Sequence, residues 1–380
     1  MTISNYRNGF IPIAIILLIV ITSAAVSGGV FYYVGKKSRV ADILANTTVS
    51  TPTANEPAIS NPPEDQIVSP TPSPSPVPNS TPTPLPSSPP KPTAEKPIPT
   101  AIKKFQVLSV NKESGSRVSG GSVPFITKLD DDRFRLYYCG SPGGILSAIS
   151  ADGLGFTRES GVRIGPNFSN KFEKIVCDPT LVKLPDEKVR MYYKGADSGQ
   201  GGPGQAIHKI FSAISSDGLN FQREGLRIDS ELSGDRGWAS VPDAVMLPDG
   251  RVRLYFVTGD NSSGGLMTMT AADGINFGER RALNLKSVVD PAIVLLPDGT
   301  YLLLAAVIDE RFAPYRAKGL YLFTSQDGFN FENETLLLKE QGVFDPTGIL
   351  LNNHTLRVYY GYGLPPAPPE TRSITVEFGY

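Results

Sequence analysis

Beyond about Phe105 the chain is built from short runs of β-branched and aromatic residues separated by tight-turn dipeptides, and the runs come in copies. One recurring unit is a turn of the form Asp-Gly-x-x-Phe after an apolar run. It is seen at Asp152-Gly153 with Phe156, Asp217-Gly218 with Phe221, Asp273-Gly274 with Phe277, and Asp327-Gly328 with Phe331. A second unit precedes it: an apolar run, Leu-Pro-Asp-Gly, then a Tyr-rich run. Its copies are Leu184-Pro185-Asp186 before Arg190-Met191-Tyr192-Tyr193, Leu247-Pro248-Asp249-Gly250 before Arg253-Leu254-Tyr255-Phe256, and Leu296-Pro297-Asp298-Gly299 before Tyr301. Looser copies are Leu129-Asp130 before Arg135-Leu136-Tyr137-Tyr138, and Leu351-Asn352 before Arg357-Val358-Tyr359-Tyr360.

Each copy predicts two strands joined by a tight turn, a third strand, the Asp-Gly-x-x-Phe turn, and a fourth strand. Four strands per copy is a propeller blade. Five inner strands are expected to begin at Val123, Asp178, Val241, Asp290 and Asp345, so residues 105–380 are read as an all-β, five-bladed β-propeller. The chain stops before a fourth strand of blade five, and Phe105 to Val110 is a strand with no blade of its own. That strand is expected to complete blade five and close the ring.

Ahead of the propeller the pattern changes twice. Residues 1–39 include 28 uncharged residues from Asn8 to Gly35, long enough for a helix across the roughly 30 Å of bilayer hydrocarbon. A cleaved signal peptide competes through Ala25-Val26-Ser27, but Val30 to Tyr33 continue the apolar stretch and suit an uncleaved transmembrane anchor. In residues 40–104, positions 51–100 hold 17 of the 34 prolines, mixed with Ser and Thr, which predicts an extended, disordered stalk. Lys36, Lys37 and Arg39 after the span favour the C-terminal side in the cytoplasm. The stalk composition is taken to outweigh them, giving a single-pass cell-membrane protein with an extracytoplasmic propeller.

The net charge of −1 with 19% charged residues gives no support to a nucleic-acid partner. The two cysteines, Cys139 and Cys177, have no zinc-site spacing and form either one bridge or two inert thiols; a disulfide is expected in an oxidising compartment. No metal or other cofactor is expected, and the chain is read as a monomer.

The Asp-Pro pairs before apolar strands, Leu-Pro-Asp-Gly, Arg-x-Tyr-Tyr and Ser-x-Asp-Gly-x-x-Phe together resemble the five-bladed propellers of the arabinanase, levansucrase and invertase superfamily of glycoside hydrolases. The resemblance implies an axial site at the face where the inner strands begin, with carboxylates from the first three blades. Cys177-Asp178-Pro179 is similar to the motif that supplies a transition-state-stabilising aspartate. Blade one has Val123-Pro124 where a nucleophile or base would stand, and blade three has Val241-Pro242 with no glutamate at the acid position. The Asp-Gly-x-x-Phe turns also look like the Asp-box of sialidases, and Asp152, Asp217, Asp273 and Asp327 are read as turn residues.

From the residues themselves, strand alternation places Asp243 on the same side as Val241, so Asp178, Asp243, Asp290 and Asp345 are candidates to converge on the axis as catalytic carboxylates. Gathered carboxylates raise one another's pKa, as a general acid near neutral pH requires; the bland alternative is that Asp-Pro caps a strand. Candidate substrate-binding residues lie on the loops of that face: Lys194 and His208 flanking a Gly-rich loop, Arg236 and Trp238 before blade three, and Arg316 in blade four. Trp238 is read either as a sugar-stacking ring or as packing between blades. The function expected is binding or hydrolysis of a carbohydrate or sugar-like ligand; the alternative is a non-catalytic adhesion or scaffold propeller with a protein or other surface ligand.

Overall fold

A computed structural model describes residues 105–198, 203–260, 265–309, 311 and 313–380. The expected anchor and stalk lie outside the described residues, and among the described residues no helix is long and apolar enough to cross a membrane.

Strands β1 (Gln106–Lys112) and β2 (Val118–Ser119) precede four complete blades. Blade one is β3 (Gly121–Lys128), β4 (Phe134–Gly140), β5 (Ile145–Ser150) and β6 (Thr157–Arg158); blade two is β7 (Ile175–Lys183), β8 (Val189–Ala196), β9 (His208–Ser215) and β10 (Gln222–Ile228). Blade three is β11 (Ala239–Met246), β12 (Val252–Thr258), β13 (Gly265–Ala271) and β14 (Gly278–Lys286). Blade four is β15 (Val289–Leu295), β16 (Tyr301–Val307), β17 (Gly319–Ser325) and β18 (Glu332–Lys339). Blade five takes β19 (Val343–Asn352), β20 (Thr355–Tyr362) and β21 (Glu370–Gly379) from the end of the chain, and β1 from its beginning. β1 pairs antiparallel with β21 from Gln106↔Gly379 to Lys112↔Ile374, and β2 adds Val118↔Thr371. The predicted closure is therefore present, and it leaves no open edge between first and last blades.

The apolar runs are continuous rather than alternating because both faces of each sheet are covered by neighbouring blades. All seven residues of β16 and of β17 are buried. The core is accordingly divided by blade interface. Tyr137, Ile145 and Ile164 meet Val176, Met191 and Phe211 between blades one and two, and the other four interfaces hold comparable clusters.

The Arg-x-Tyr motif joins these layers. Arg135 Nη1 donates to the Asp217 carbonyl at 3.1 Å and the Tyr137 hydroxyl to the Gly218 carbonyl at 2.7 Å, so the second strand of blade one grips the Asp-Gly turn of blade two. Arg190 and Tyr192 grip Asp273 and Gly274, Arg253 and Tyr255 grip Asp327 and Gly328, and Arg357 and Tyr359 grip Asp152 and Gly153. Gly218 is required at its turn: its φ is +68°, and a Cβ would lie 2.8 Å from both Arg135 Nη1 and the Tyr137 hydroxyl. In blade four the gripping positions are Leu302 and Leu304. The reason is topological, since the outer strands of blade five come from opposite ends of the chain and no Asp-Gly turn exists there to be gripped.

The turn aspartates act as read from sequence. Asp217 Oδ1 accepts the N–H of Leu219 and of Asn220 at 2.8 Å, with the same pattern at Asp152, Asp273 and Asp327. These backbone N–H groups hold the Asp152 and Asp273 carboxyls down at about 2.

Candidate functional site

Each inner strand carries an X-Pro pair, and X is in every case a non-glycine residue with positive φ: Val123 at 58°, Asp178 at 55°, Val241 at 49°, Asp290 at 58° and Asp345 at 44°. These pairs are not caps where strands begin, as the sequence suggested, but bulges inside them. Cys177 pairs with Lys194 and Thr180 with Tyr192, so Asp178 and Pro179 together oppose only Tyr193, and the other four inner strands skip in the same way. Proline at the next position disfavours the right-handed helical region for X, and the left-handed region costs a β-branched residue the most, so the five bulges store strain around the axis. Backbone strain of this kind clusters at functional sites.

The bulge turns the X side chain inward. Asp178, Asp290 and Asp345 are 2%, 4% and 7% exposed and lie close enough to act on one another electrostatically. Asp178 Oδ2 accepts the N–H of Val241 at 3.2 Å, and Asp290 Oδ2 accepts the N–H of Asp345 at 3.1 Å, so an X carboxylate ties its blade to the X backbone of the next. Lys194, placed by β8 opposite Cys177, sets its ammonium 3.0 Å from Asp178 Oδ2 and 3.1 Å from Oδ1. Burial first, then the bonded partner Asp290 and the charge of Asp178, push the Asp345 carboxyl well above the usual carboxylate range. Burial and the charge of Asp178 raise Asp290 to about 6. Chemically this is a pair of carboxyls that retains a proton near neutral pH, beside a lysine–aspartate ion pair.

Asp243 lines the same axial cavity, but burial and its own hydrogen bonds, not the charges of Asp178, Asp290 and Asp345, act on its carboxyl. The bulge at Val241-Pro242 changes the strand's parity, so Asp243 is on the opposite phase from the one simple alternation gives. It belongs to a second ring, two residues after each X. Thr180 Oγ1 accepts the Ala244 N–H at 2.9 Å, Thr347 Oγ1 the Ile126 N–H at 3.5 Å, and Asp243 Oδ2 the Ile293 N–H at 2.7 Å. An aspartate whose equivalents are threonines making the same bond to the next blade serves to join blades. Burial pushes its carboxyl up to about 7.

That shift has a measurable consequence. From about pH 4 up to about 6 for Asp290 and about 7 for Asp243 the folded chain holds protons that the unfolded chain has released, and Asp345 is shifted in the same direction, so stability falls as pH rises, by up to roughly 1.4 kcal/mol per pH unit for each group. The turn aspartates, with lowered values, lose their contribution only below that window. Thermal unfolding is expected to occur at a higher temperature at pH 5 than at pH 7.5, and Asp243→Asn to reduce the difference; a melting temperature equal at the two pH values contradicts this assignment.

The candidate ligand-binding residues are placed variously. His208 is 5% exposed, its Nδ1 is 3.0 Å from Ser240 Oγ, and burial followed by the charge of Lys194 lowers it to about 2, so it is neutral. Ser240 also reaches Asp178 Oδ2 at 3.5 Å. Trp238 is only 3% exposed and stacks on His208 at 3.6 Å; it packs between blades two and three and presents no face to a sugar. Lys194 is committed to Asp178. Arg316 sits on the rim of blade four, paired with Glu334 at 2.8 Å. Arg236 is exposed, on the connection from β10 to β11. Connections on this same face also carry exposed Phe168, Leu232 and Tyr315, which the sequence reading did not single out as ligand contacts.

Cys139 and Cys177 form a disulfide with Cα atoms 5.6 Å apart, joining blades one and two, and Cys139 Sγ accepts the N–H of Asp178 at 3.3 Å. The sulfurs and a carboxylate oxygen of Asp178 lie within 4.8 Å of one another, but the bridge consumes both sulfurs as metal ligands. The axial cavity, lined by Val123, Asp178, Val241, Asp243 and Asp345, has a volume of about 20 Å³. That admits one water and no sugar ring.

No protein-family model and no curated protein sequence matches this chain. Its fold is shared with solved glycoside hydrolases at low identity. A thermostable family-43 glycoside hydrolase is 15% identical, with a TM-score of 0.55 over 71% of this chain and 93% of that one. The Cellvibrio cellulosa α-L-arabinanase in complex with arabinohexaose is 14% identical, with a TM-score of 0.52 over 68% and 92%. The Bombyx mori family-32 β-fructofuranosidase in complex with sucrose is 13% identical, with a TM-score of 0.50 over 67% and 59%. The five-bladed architecture expected from the repeats is therefore that of the arabinanase and invertase propellers.

Proposed function

We propose that this chain is a membrane-tethered, extracytoplasmic propeller that binds a carbohydrate across the face bearing Asp178, Asp290 and Asp345. The observation that carries the reading is the convergence of these three aspartates and Lys194 at the axis of a fold shared with enzymes that act on carbohydrates. The arabinanase bound to arabinohexaose supports a saccharide as the ligand class. Because the axial cavity holds no more than a water, the ligand lies over the mouth, where Arg236 and the exposed rings of Phe168 and Tyr315 offer hydrogen bonding and stacking.

Binding is preferred to cleavage because valine stands at two of the five X positions and the Asp178 carboxylate is already held by Lys194 and Val241. Hydrolysis is the second reading, favoured by one observation: Asp290 near 6 is a competent proton donor at neutral pH. The extracytoplasmic location rests on the apolar segment and stalk read from sequence, and the Cys139–Cys177 bridge suits an oxidising compartment.

A glycan array probed with the full chain, followed by product analysis on each bound glycan, tests both readings. Arg236 is exposed, and Arg236→Ala is expected to weaken glycan binding about tenfold with an unchanged melting temperature. Release of a shortened product transfers the conclusion to hydrolysis. Absence of binding to every glycan overturns the carbohydrate reading.

A further inference from the structure

A second cavity, of about 470 Å³, lies on blade five, away from the axis. It is formed where the ring is closed: the end of β1 and the turn after it supply Lys112, Glu113 and Ser116, and the start of β21 supplies Glu370 and Arg372. Its volume is within the range of pockets that hold small organic ligands.

Two independent features point to an occupant. The first is Tyr360, which lines the cavity, is 2% exposed, and whose hydroxyl makes no hydrogen bond to any described residue. Its ring is packed in the core while the hydroxyl opens on the cavity, where it can donate to and accept from an occupant. Tyr193, at the same bulge-facing position in blade two, gives its hydroxyl to Glu173 at 2.7 Å. In blade five the carboxylates of the wall, Glu340 and Glu370, are paired with Lys112 and Arg372 instead, and the phenol faces the space.

The second feature is the arrangement of charge. Lys112 lies 2.8 Å from Glu340, Arg372 lies 2.6 Å from Glu370 and 3.7 Å from Glu340, and Glu113 lies 2.9 Å from Arg357. The Arg372 guanidinium is also stacked 3.5 Å from the Tyr362 ring centroid, which fixes its plane. Every charge in the wall is already matched, so an ionic ligand would have to break a pair to gain one. What the wall retains is unused carboxylate lone pairs beside unused N–H groups. A pair of adjacent hydroxyls, each able to donate and to accept, uses both without separating any charges.

We propose that this blade-five cavity is a binding site for a neutral saccharide, held through vicinal hydroxyls by Glu370, Arg372 and Glu340 and through one oxygen by Tyr360. The site is separate from the axial one and does not rest on the reading given to it. Both lie at the end of the propeller where inner strands begin, since Glu340 precedes β19 and Lys112 ends β1.

The test is calorimetric titration of the full chain with lactose, cellobiose and xylobiose, and separately with inorganic phosphate as an ionic probe. At least one disaccharide is expected to bind with a dissociation constant below about 10 mM. Tyr360→Phe, which removes a single oxygen that bonds no described residue, is expected to weaken that binding about fivefold while leaving the melting temperature unchanged. Glu370→Gln is expected to weaken it about tenfold. Arg236→Ala, on the axial face, is expected to leave this binding unaltered, which separates failure here from failure of the axial proposal. Binding of none of the three disaccharides, binding of phosphate alone, or disaccharide binding indifferent to both Tyr360→Phe and Glu370→Gln overturns the proposal.

Discussion

Asp178→Asn is expected to lower the stability of the propeller by about 3 kcal/mol or more, the cost of leaving a buried charge without its counter-ion. Lys194 has a side chain only 4% exposed, and Asp178 is its ion-pair partner. The substitution also weakens the acceptor for the Val241 N–H, so the tie between blades two and three loosens together with the ion pair. Read from sequence alone, Asp178 on an open axis would be an acid whose neutralisation leaves the thermal transition almost untouched. The geometry reverses that expectation. Denaturant unfolding of Asp178→Asn, Lys194→Met and the double variant checks it: the double variant should lose clearly less than the sum of the singles, because neither charge is then stranded. A loss below about 1 kcal/mol in Asp178→Asn would falsify the buried-pair assignment.

Replacing Cys139 and Cys177 together by serine is expected to cost about 4 kcal/mol, as the bridge closes a loop with a sequence separation of 38 and restricts the unfolded chain by that much. The effect should be read as a lower denaturant midpoint for the double serine variant, reproduced in the wild type by reduction. Equal midpoints for oxidised and reduced protein would show that the contacts between blades one and two already hold that interface without the covalent link.

The fold was legible because a propeller repeats its local chemistry. Each Asp-Gly turn and each Arg-x-Tyr strand is written out in the chain, and the orphan strand at Phe105 had one vacant place to fill. The link between those two motifs was not legible, since an arginine in one blade and a turn in the next are about 80 residues apart and are related only by the ring. The absence of the motif from blade four, at Leu302 and Leu304, is the clue in the sequence that the two belong together.

The site was legible in part. Asp178, Asp290 and Asp345 do meet, and each is marked by the following proline. Asp243 was assigned to the same group by assuming an uninterrupted pleat, and the X-Pro bulge shifts the phase by one residue just before it. Trp238, read from sequence either as a sugar-stacking ring or as packing between blades, and Lys194, read as a ligand contact, depend on burial, which the sequence does not state. Here Trp238 has His208 beneath it and Lys194 has Asp178 beside it. Ser240, which links His208 to Asp178, carries no sequence signal beyond its place next to Val241-Pro242.

The closure of the ring by β1 also decides how the molecule answers a mechanical pull. Gln106 pairs with Gly379, while the return of β21 into blade five is at its other end, Glu370, so tension drawn along β1 from residue 105 slides two antiparallel strands past each other. In that geometry the six paired positions from Gln106 to Lys112 share the load at once, where peeling would break them in turn. Behind them, β2 fastens the chain a second time at Val118 and Ser119. A domain hauled by its N-terminus therefore resists with the whole length of its clasp.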